Sequence, residues 1–229
     1  MPVIKLVAFD LDGTLVDSVP DIAWAVAQMS IALDLPPPGL DQVSSWVGDG
    51  VRWLVKRALT GSRDGEPEAE LFERGFEAFR SAYHGHLAVA TRLYPDAREV
   101  LEQLRRSGIA LACITNKAAE FTEPLLEALA MRSYFGVVLC GDSLTQRKPD
   151  PLPLLHAARQ LGVIPAQSCM VGDSRNDILA ARAAGFRSVG VQHGYGGDLL
   201  LDSAPDAVLA SLAELPALLE RWTTGVVPA

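Results

Sequence analysis

Short apolar runs and helical patterns alternate along the second half of the chain, and this alternation restricts the fold more than any other feature. The runs are apolar at consecutive positions, which is typical of strands that are buried on both faces. Strands that alternate with helices predict a parallel sheet with crossover helices. We therefore predict an α/β fold with a doubly wound, Rossmann-like parallel-sheet core, whose strands contain VIKLVAF, IALACIT, GVVLC, SCMVG and RSVGVQ.

The segment between the first strand and residue 90 has only helical patterns, so no strand is predicted within it. A polar loop, TGSRDGEPE, separates two of its helices. We therefore divide the chain into an α/β core of residues 1–17 and 91–229 and an inserted all-helical cap of residues 18–90. The helices predicted in the cap cover residues 21–33, 50–60 and 67–84.

Helix-boundary signals are clear in the core. Asp96 and Glu99 have the spacing of a capping box, and Gly108 is placed to end the helix that they begin. Pro151 is predicted to open a further helix. Pro124 is predicted to interrupt or restart the helix over residues 119–130. A last helix is predicted near residues 212–222.

Bulk composition is that of a globular protein and limits the possible partners. Apolar residues make up 49% of the 229 residues and charged residues 21%, and the formal net charge is −8. A net negative charge argues against nucleic acid or an anionic membrane as partner. No secretory signal or membrane span is expected. Three widely separated cysteines predict buried thiols in a reducing cytoplasm rather than disulfides or a zinc site.

Polar and charged side chains follow four of the predicted strands. Because ligands of an open parallel sheet bind beyond the carboxyl ends of its strands, we expect these side chains to share one site. Each of them alone also fits an ordinary turn, loop or helix cap. The set consists of Asp10, Asp12, Thr14, Thr115, Asn116, Lys117, Lys148, Asp173 and Asp177.

The chemistry of this set favours phosphoryl transfer. Carboxylate oxygens are hard ligands that suit Mg²⁺, and a divalent cation relieves the repulsion between clustered carboxylates. Lysine and hydroxyl or amide donors can hold the spread charge of a transferring phosphoryl group. The sequence therefore predicts a magnesium site beside an anion-binding site at the strand ends.

Four motifs occur in the order typical of one enzyme superfamily: DLDGT, ITN, RKPDP and GDSRND. With them the chain resembles haloacid dehalogenase-like (HAD) hydrolases. Longer segments, including DLDGTLVDSVPD, WVGDGVRWLVKRAL, TNKAAEF and VGDSRNDILAARAAG, resemble phosphoglycolate phosphatases within that superfamily. The resemblance implies a HAD core and a magnesium-dependent phosphomonoesterase that hydrolyses 2-phosphoglycolate, a small phosphate ester.

The resemblance also implies a role for each motif residue. Asp10 is the expected nucleophile, which forms an aspartyl-phosphate, and Asp12 is the expected general acid and base. The expected metal ligands are Asp10, Asp12 through its backbone carbonyl, Asp173 and, through water or a supporting bond, Asp177. Thr14 is expected to orient the region of Asp12. The motif residues expected to bind the substrate are Thr14, Thr115, Asn116 and Lys117. Lys148 is the third expected catalytic residue, which holds the phosphoryl group.

The cap is expected to close over the substrate and to supply a cation for its far end. Arg52, together with Gly48, is the substrate-binding residue predicted there, and Lys56, Arg57 and Arg147 are further candidates. Three alternative functions stay open at this point: a phosphatase of a sugar phosphate or nucleotide, a sugar phosphomutase of the same superfamily, and a non-enzymatic phospho-switch. The expected assembly is a monomer or a homodimer.

Overall fold

A computed structural model describes residues 3–224 of the chain. Its centre is a six-stranded sheet in the order β5-β4-β1-β6-β7-β8, and every neighbouring pair runs parallel. Strand β1 lies in the middle, with the later strands added first on one side and then on the other. The strands are β1 Leu6–Phe9, β4 Ala110–Ile114, β5 Val137–Leu139, β6 Ser168–Gly172, β7 Arg187–Val191 and β8 Ala207–Leu209.

Helices cover both faces of this sheet, and alternate residues of each strand point to opposite faces. Val7 and Phe9 of β1 belong to the apolar cluster on the face that is covered by α5, α6 and α10, whereas Leu6 and Ala8 belong to the cluster under α7 and α8. The helices of the core are α5 Ala97–Arg106, α6 Ala119–Ala128, α7 Leu152–Gln160, α8 Arg175–Ala184, α9 Gly197–Asp202 and α10 Leu215–Thr224.

The cap consists of helices that pack on one another around a third apolar cluster. The chain leaves the sheet and returns to it through two short antiparallel strands, β2 Val16–Asp17 and β3 Arg92–Leu93. Buried Asp21 ties this junction, because its carboxylate accepts hydrogen bonds from the backbone N–H of Ala90 and from the backbone N–H and hydroxyl of Thr91. The cap helices are α1 Val19–Ala32, α2 Leu40–Ser44, α3 Val51–Thr60 and α4 Ala69–His84.

The structure confirms the α/β core with a helical cap and corrects several local predictions. Asp96 does not form a capping box: its φ is 65°, and its carboxylate accepts a hydrogen bond from the Ser211 hydroxyl instead. The helix around Pro124 is continuous from Ala119 to Ala128. Helices α2 and α9 and strand β8 were not predicted, because each is too short to establish a period. Within residues 3–224, no helix is long and apolar enough to cross a membrane.

Candidate active site

The polar residues of the four motifs meet at the carboxyl ends of the central strands. Asp10 directly follows β1, Thr115 follows β4 and Asp173 follows β6, while Lys148 reaches the same edge from the loop before α7. Strand order reverses around β1, so these ends form the crevice in which α/β proteins bind ligands. Of the site residues predicted from the sequence, all except Arg52 lie at or over this edge.

Lys148 holds two of the carboxylates. Its buried ammonium group lies 2.9 Å from Asp10 Oδ1 and 2.6 Å from Asp177 Oδ1, and it donates to the carbonyl oxygen of Ile114 at 2.6 Å. Asp10 Oδ1 also accepts the backbone N–H of Leu11 at 2.8 Å. Among the described residues, no donor reaches Asp10 Oδ2. One oxygen of Asp10 is therefore fixed and the other is available for chemistry.

Asp173 is held in place from two sides. The Thr14 hydroxyl donates to its Oδ1 at 3.0 Å, and the backbone N–H of Tyr195 donates to its Oδ2 at 2.8 Å. Gly13 has φ +85°, and a Cβ there would collide with the Asp173 carboxylate, so this position requires glycine. Thr14 was expected to orient the region of Asp12. Its side chain instead positions Asp173.

Asp177 has a structural bond as well as its ion pair with Lys148. Its Oδ2 accepts the backbone N–H of Ser174 at 3.0 Å and the Ser174 hydroxyl at 2.6 Å, at the start of α8. These bonds orient the carboxylate and leave little freedom in its position. Asp177 thus joins the helix terminus to the carboxylate cluster.

Three buried carboxylates form a candidate metal centre. Oxygen atoms of Asp10, Asp173 and Asp177 all lie within 4.8 Å of one another. Burial, offset in part by Lys148, raises the pKa of Asp10 to about 7, and burial together with the charges of Asp10 and Asp177 raises the pKa of Asp173 to about 8. One lysine does not neutralise three buried carboxylates, so a divalent cation with a preference for oxygen ligands fits this cluster.

Asp12 faces away from the metal cluster and toward the cap. Its Oδ1 accepts a hydrogen bond from the Ser18 hydroxyl, and Lys117 Nζ lies 3.2 Å from both of its carboxylate oxygens. The Tyr83 hydroxyl, on α4 of the cap, lies 2.7 Å from the same ammonium group. A chain of polar contacts therefore runs from Asp12 through Lys117 to the cap.

The motif after β4 links the two halves of the molecule. The side-chain amide of Asn116 donates to the carbonyl oxygens of Gly48 in the cap and of Lys148 in the core, both at 2.9 Å. Its Oδ1 is buried and has no hydrogen-bond partner among the described residues. The Thr115 hydroxyl accepts the backbone N–H of Lys117 at 3.2 Å. The loop at Gly48 therefore lies directly over the strand ends.

Two hollows open beside Asp10 and Asp12. One, of about 50 Å³, extends under the cap and is lined by apolar side chains together with Thr115, Asn116 and Lys117. The other, of about 610 Å³, lies on the side of Asp173 and is lined by polar groups that include Arg63, Arg175 and Asn176. Both hollows share Asp10, Asp12 and Gly48.

A protein-family model described as haloacid dehalogenase-like hydrolase matches residues 4–185. The chain belongs to this hydrolase family. It is 49% identical over 216 residues to a phosphoglycolate phosphatase of Neisseria meningitidis serogroup A, and the match covers 93% of this chain and 92% of that relative. It is 44% identical over 218 residues to a phosphoglycolate phosphatase of Nitrosococcus oceani, over 95% of this chain and 97% of the relative.

A solved structure has the same fold as this haloacid dehalogenase-like hydrolase. A protein from Haemophilus somnus 129PT, described as a predicted phosphoglycolate phosphatase, superposes with a TM-score of 0.89 at 35% identity. The match covers 94% of this chain and 97% of that structure. It therefore spans the helical cap as well as the sheet.

The cap cations of this hydrolase do not lie where the sequence placed them. Arg52 was expected to bind substrate, but its side chain is 57% exposed and lies over the Phe72 ring, outside both hollows. Lys56 pairs with Glu66 at 2.6 Å. Arg57 is buried and binds Asp49, also at 2.6 Å. These three side chains stabilise the cap rather than face the crevice.

Several residues at the crevice of this hydrolase escaped prediction. Tyr195 lies in the segment HGYGG, and its hydroxyl accepts the N–H of Ser18 at 2.9 Å and donates to Asp17 at 2.8 Å. The position of HGYGG after a strand was the available signal. Tyr83 had none, because an isolated hydroxyl in a helical segment has no pattern of its own. Ser18 directly precedes α1, where a serine is indistinguishable from an ordinary helix cap.

Proposed function

We propose that this protein is a magnesium-dependent phosphatase that hydrolyses 2-phosphoglycolate to glycolate and phosphate through an aspartyl-phosphate. The observation that carries the proposal is the environment of Asp10: its Oδ1 pairs with a buried lysine, and its Oδ2 is free. Asp10 lies beside two further carboxylates, where two hollows meet. Relatives that bear the name phosphoglycolate phosphatase are 42–49% identical to this chain, which supports the choice of substrate.

Asp10 acts as the nucleophile. Its Oδ1 is held by Leu11 and Lys148, so Oδ2 attacks phosphorus and the bond to the ester oxygen breaks. Lys148 neutralises the attacking carboxylate as the dianionic phosphoryl group of the substrate approaches. Thr115 and Asn116 lie at the same strand ends and bind the phosphoryl oxygens, with the Asn116 amide donating to a phosphoryl oxygen in place of the Gly48 carbonyl.

Asp12 transfers the protons. It gives a proton to the leaving glycolate oxygen and then accepts one from the water that hydrolyses the aspartyl-phosphate. Ser18 orients its carboxylate through a hydrogen bond. Glycolate is a poor leaving group as an alkoxide, so protonation is needed for a useful rate.

Asp10, Asp173, the backbone carbonyl of Asp12 and, through water, Asp177 would hold the magnesium ion. The ion supplies positive charge that lowers the cost of bringing an anionic substrate to a carboxylate. Thr14 and Tyr195 keep Asp173 oriented toward the cluster. The choice of Mg²⁺ over other divalent ions rests on the all-oxygen ligand set.

The cap of residues 18–90 acts as a lid over the core of residues 1–17 and 91–229. The bonds from Asn116 and Asn176 to the Gly48 carbonyl are among the contacts that its opening would break. Closure excludes water from the ester before the first step. We place the enzyme in the cytoplasm because Cys113, Cys140 and Cys169 are free and buried. The proposed assembly is a monomer or a homodimer.

A steady-state screen of small phosphate esters tests the function. The purified protein is assayed for phosphate release from 2-phosphoglycolate, sugar phosphates and nucleotides, with Mg²⁺ and with EDTA. We expect the largest kcat/KM on 2-phosphoglycolate and loss of activity in EDTA. A hundredfold preference for a sugar phosphate or nucleotide would reject the substrate, and a requirement for a sugar bisphosphate would indicate a mutase.

A further inference from the structure

The small hollow under the cap has one cationic side chain among the described residues that line it, and that side chain is Lys117. Its ammonium group is buried between the Asp12 carboxylate and the Tyr83 hydroxyl. A carboxylate next to an ammonium group favours its charged form. Lys117 therefore presents a positive charge to the space where the part of the substrate beyond phosphorus is expected to lie.

The other cations considered for this space are engaged elsewhere or lie outside it. Lys56 and Arg57 have carboxylate partners at 2.6 Å within the cap. Arg147 is half-buried and lies behind Gly50, which lines the hollow, but it does not line the hollow itself. An anion that enters the hollow thus meets Lys117 first.

The size and walls of the hollow restrict what accompanies that anion. Ile22, Leu54, Phe79 and Phe121 form apolar walls that offer no hydrogen-bond donor. The volume is about 50 Å³. Since one water needs about 10–15 Å³ on this measure, the hollow holds about four water-sized groups. A methylene carbon and a carboxylate together have that number of heavy atoms.

We propose that Lys117 binds the carboxylate of the substrate, which replaces Asp12 as the counter-ion of its ammonium group. This inference rests on the phosphatase function proposed above. The substrate class is then short phosphate esters with a carboxylate one carbon from the ester oxygen. In the free enzyme Asp12 occupies the place of that carboxylate, and on binding it is released to face the ester oxygen.

Tyr83 is a positioning residue for this recognition. Its hydroxyl lies 2.7 Å from the ammonium group, and the centroid of its ring lies 4.8 Å from the same nitrogen. The residue is 1% exposed and packs against Phe79 and Phe121, which fixes its ring. Because Tyr83 belongs to α4, Lys117 reaches its full set of contacts only when the cap is in place.

A pair of substrates separates charge recognition from general catalysis. The kcat/KM of Lys117→Met and of the wild type is measured on 2-phosphoglycolate and on an analogue in which an uncharged carboxamide replaces the carboxylate. We expect the variant to lose about a hundredfold on 2-phosphoglycolate, equal to about 2.7 kcal/mol, and less than about fivefold on the carboxamide. An equal loss on both substrates would mean that Lys117 acts only through Asp12, and the proposal would be wrong.

Tyr83→Phe keeps the proposal testable if Lys117→Met does not fold. It removes one hydroxyl and retains the ring, so we expect KM for 2-phosphoglycolate to rise about three- to tenfold while kcat, and both constants for the carboxamide, stay within twofold. A loss shared by both substrates would contradict the positioning role. Arg52→Met is the matched control in the cap, and it should leave all constants unchanged because Arg52 lies outside the hollow.

Two further results would overturn the assignment in distinguishable ways. If Arg147→Met, and not Lys117→Met, shows the charge-specific loss, the function stands and the carboxylate is bound from the rim at Gly50. If the wild type releases phosphate from neither substrate, the proposed function fails and this inference fails with it. If the wild type hydrolyses 2-phosphoglycolate and the carboxamide equally well, carboxylate recognition by Lys117 is rejected but the phosphatase function is not.

Discussion

Lys148 donates to three protein oxygens, and it is the cation that pairs with two of the three clustered carboxylates. Its partners are Asp10, Asp177 and the Ile114 carbonyl. Because all three partners are protein atoms, the ammonium group stabilises the charge of Asp10 directly and is not a vacant binding site for an anion. The lysine was predicted from its place in RKPDP, but its partners depend on the register of three strands, which a single sequence does not specify.

Asp10→Asn tests the nucleophile. The amide keeps the size and planar shape of the carboxylate, so the fold should be retained, but it lacks an anionic oxygen to attack phosphorus. We expect kcat to fall at least about 1,000-fold while the circular dichroism spectrum is unchanged. Retained turnover in a variant shown by mass spectrometry to be free of deamidation would contradict the assignment.

Lys148→Met tests the balance of buried charge. The substitution leaves Asp10 and Asp177 without their cation, and loss of one partner from a buried ion pair costs about 3–5 kcal/mol of unfolding free energy. Denaturant unfolding in EDTA measures this loss. Lys56→Met, which removes an exposed pair with Glu66, is the control and should change the unfolding free energy by less than about 1 kcal/mol.

At the scale of elements, the loop after β7 joins the metal cluster to the start of the cap. The Tyr195 backbone N–H binds Asp173, while its hydroxyl accepts the N–H groups of Ser18 and Val19 at the beginning of α1 and donates to Asp17 in β2. The first N–H groups of a helix need such acceptors. One residue thus links Asp173, through its backbone, to the segment through which the chain enters the cap, through its hydroxyl.

Tyr195→Phe removes that acceptor. Two N–H groups at the start of α1 lose their partner, which we expect to cost about 1–3 kcal/mol of unfolding free energy and to raise KM as the cap becomes less well placed. Urea unfolding and steady-state kinetics measure both effects. Tyr134→Phe loses a hydroxyl whose partners include the exposed Glu102, and it should stay within about 0.5 kcal/mol of the wild type. An unchanged Tyr195→Phe protein would reject the link.

Elements with a clear period were predictable, and the direction of their side chains was not. The longer cap helices, α1, α3 and α4, and the continuous apolar strands follow from the sequence because burial imposes a period on them. On α3, however, Leu54 and Val55 are buried while Arg52 is exposed, and only the packing of α3 against α4 decides which side faces the crevice. Asp96 likewise has the composition of a helix cap, but Ser211, distant in sequence, competes for its carboxylate.

At the scale of the whole molecule, the carboxylate cluster couples stability to pH and to divalent ions. The pKa of Asp10 is raised to about 7 and that of Asp173 to about 8 by burial, from 3.8. Between about pH 4 and pH 8 the folded protein therefore retains protons that the unfolded chain has lost. In EDTA the free energy of unfolding should fall as pH rises through this window, by up to about 1.4 kcal/mol per pH unit for each group.

Added Mg²⁺ should reverse this trend. A bound cation neutralises the ionised carboxylates, so the increase in Tm on adding Mg²⁺ should be larger at pH 8 than at pH 5. Thermal melts across this pH range, with Mg²⁺ or with EDTA, measure the difference. Asp173→Asn, which removes one ligand, should lose most of the Mg²⁺ effect. An equal increase in Tm at both pH values would contradict the coupling.

The two hollows beside Asp10 differ in width and polarity, and they meet only at the reacting side chains and the Gly48 loop. The narrow one has room for the organic fragment of the proposed substrate, and the wide one lies on the side of Asp173. In the proposed reaction the alcohol would thus occupy one hollow while the water that cleaves the aspartyl-phosphate reaches Asp10 from the other.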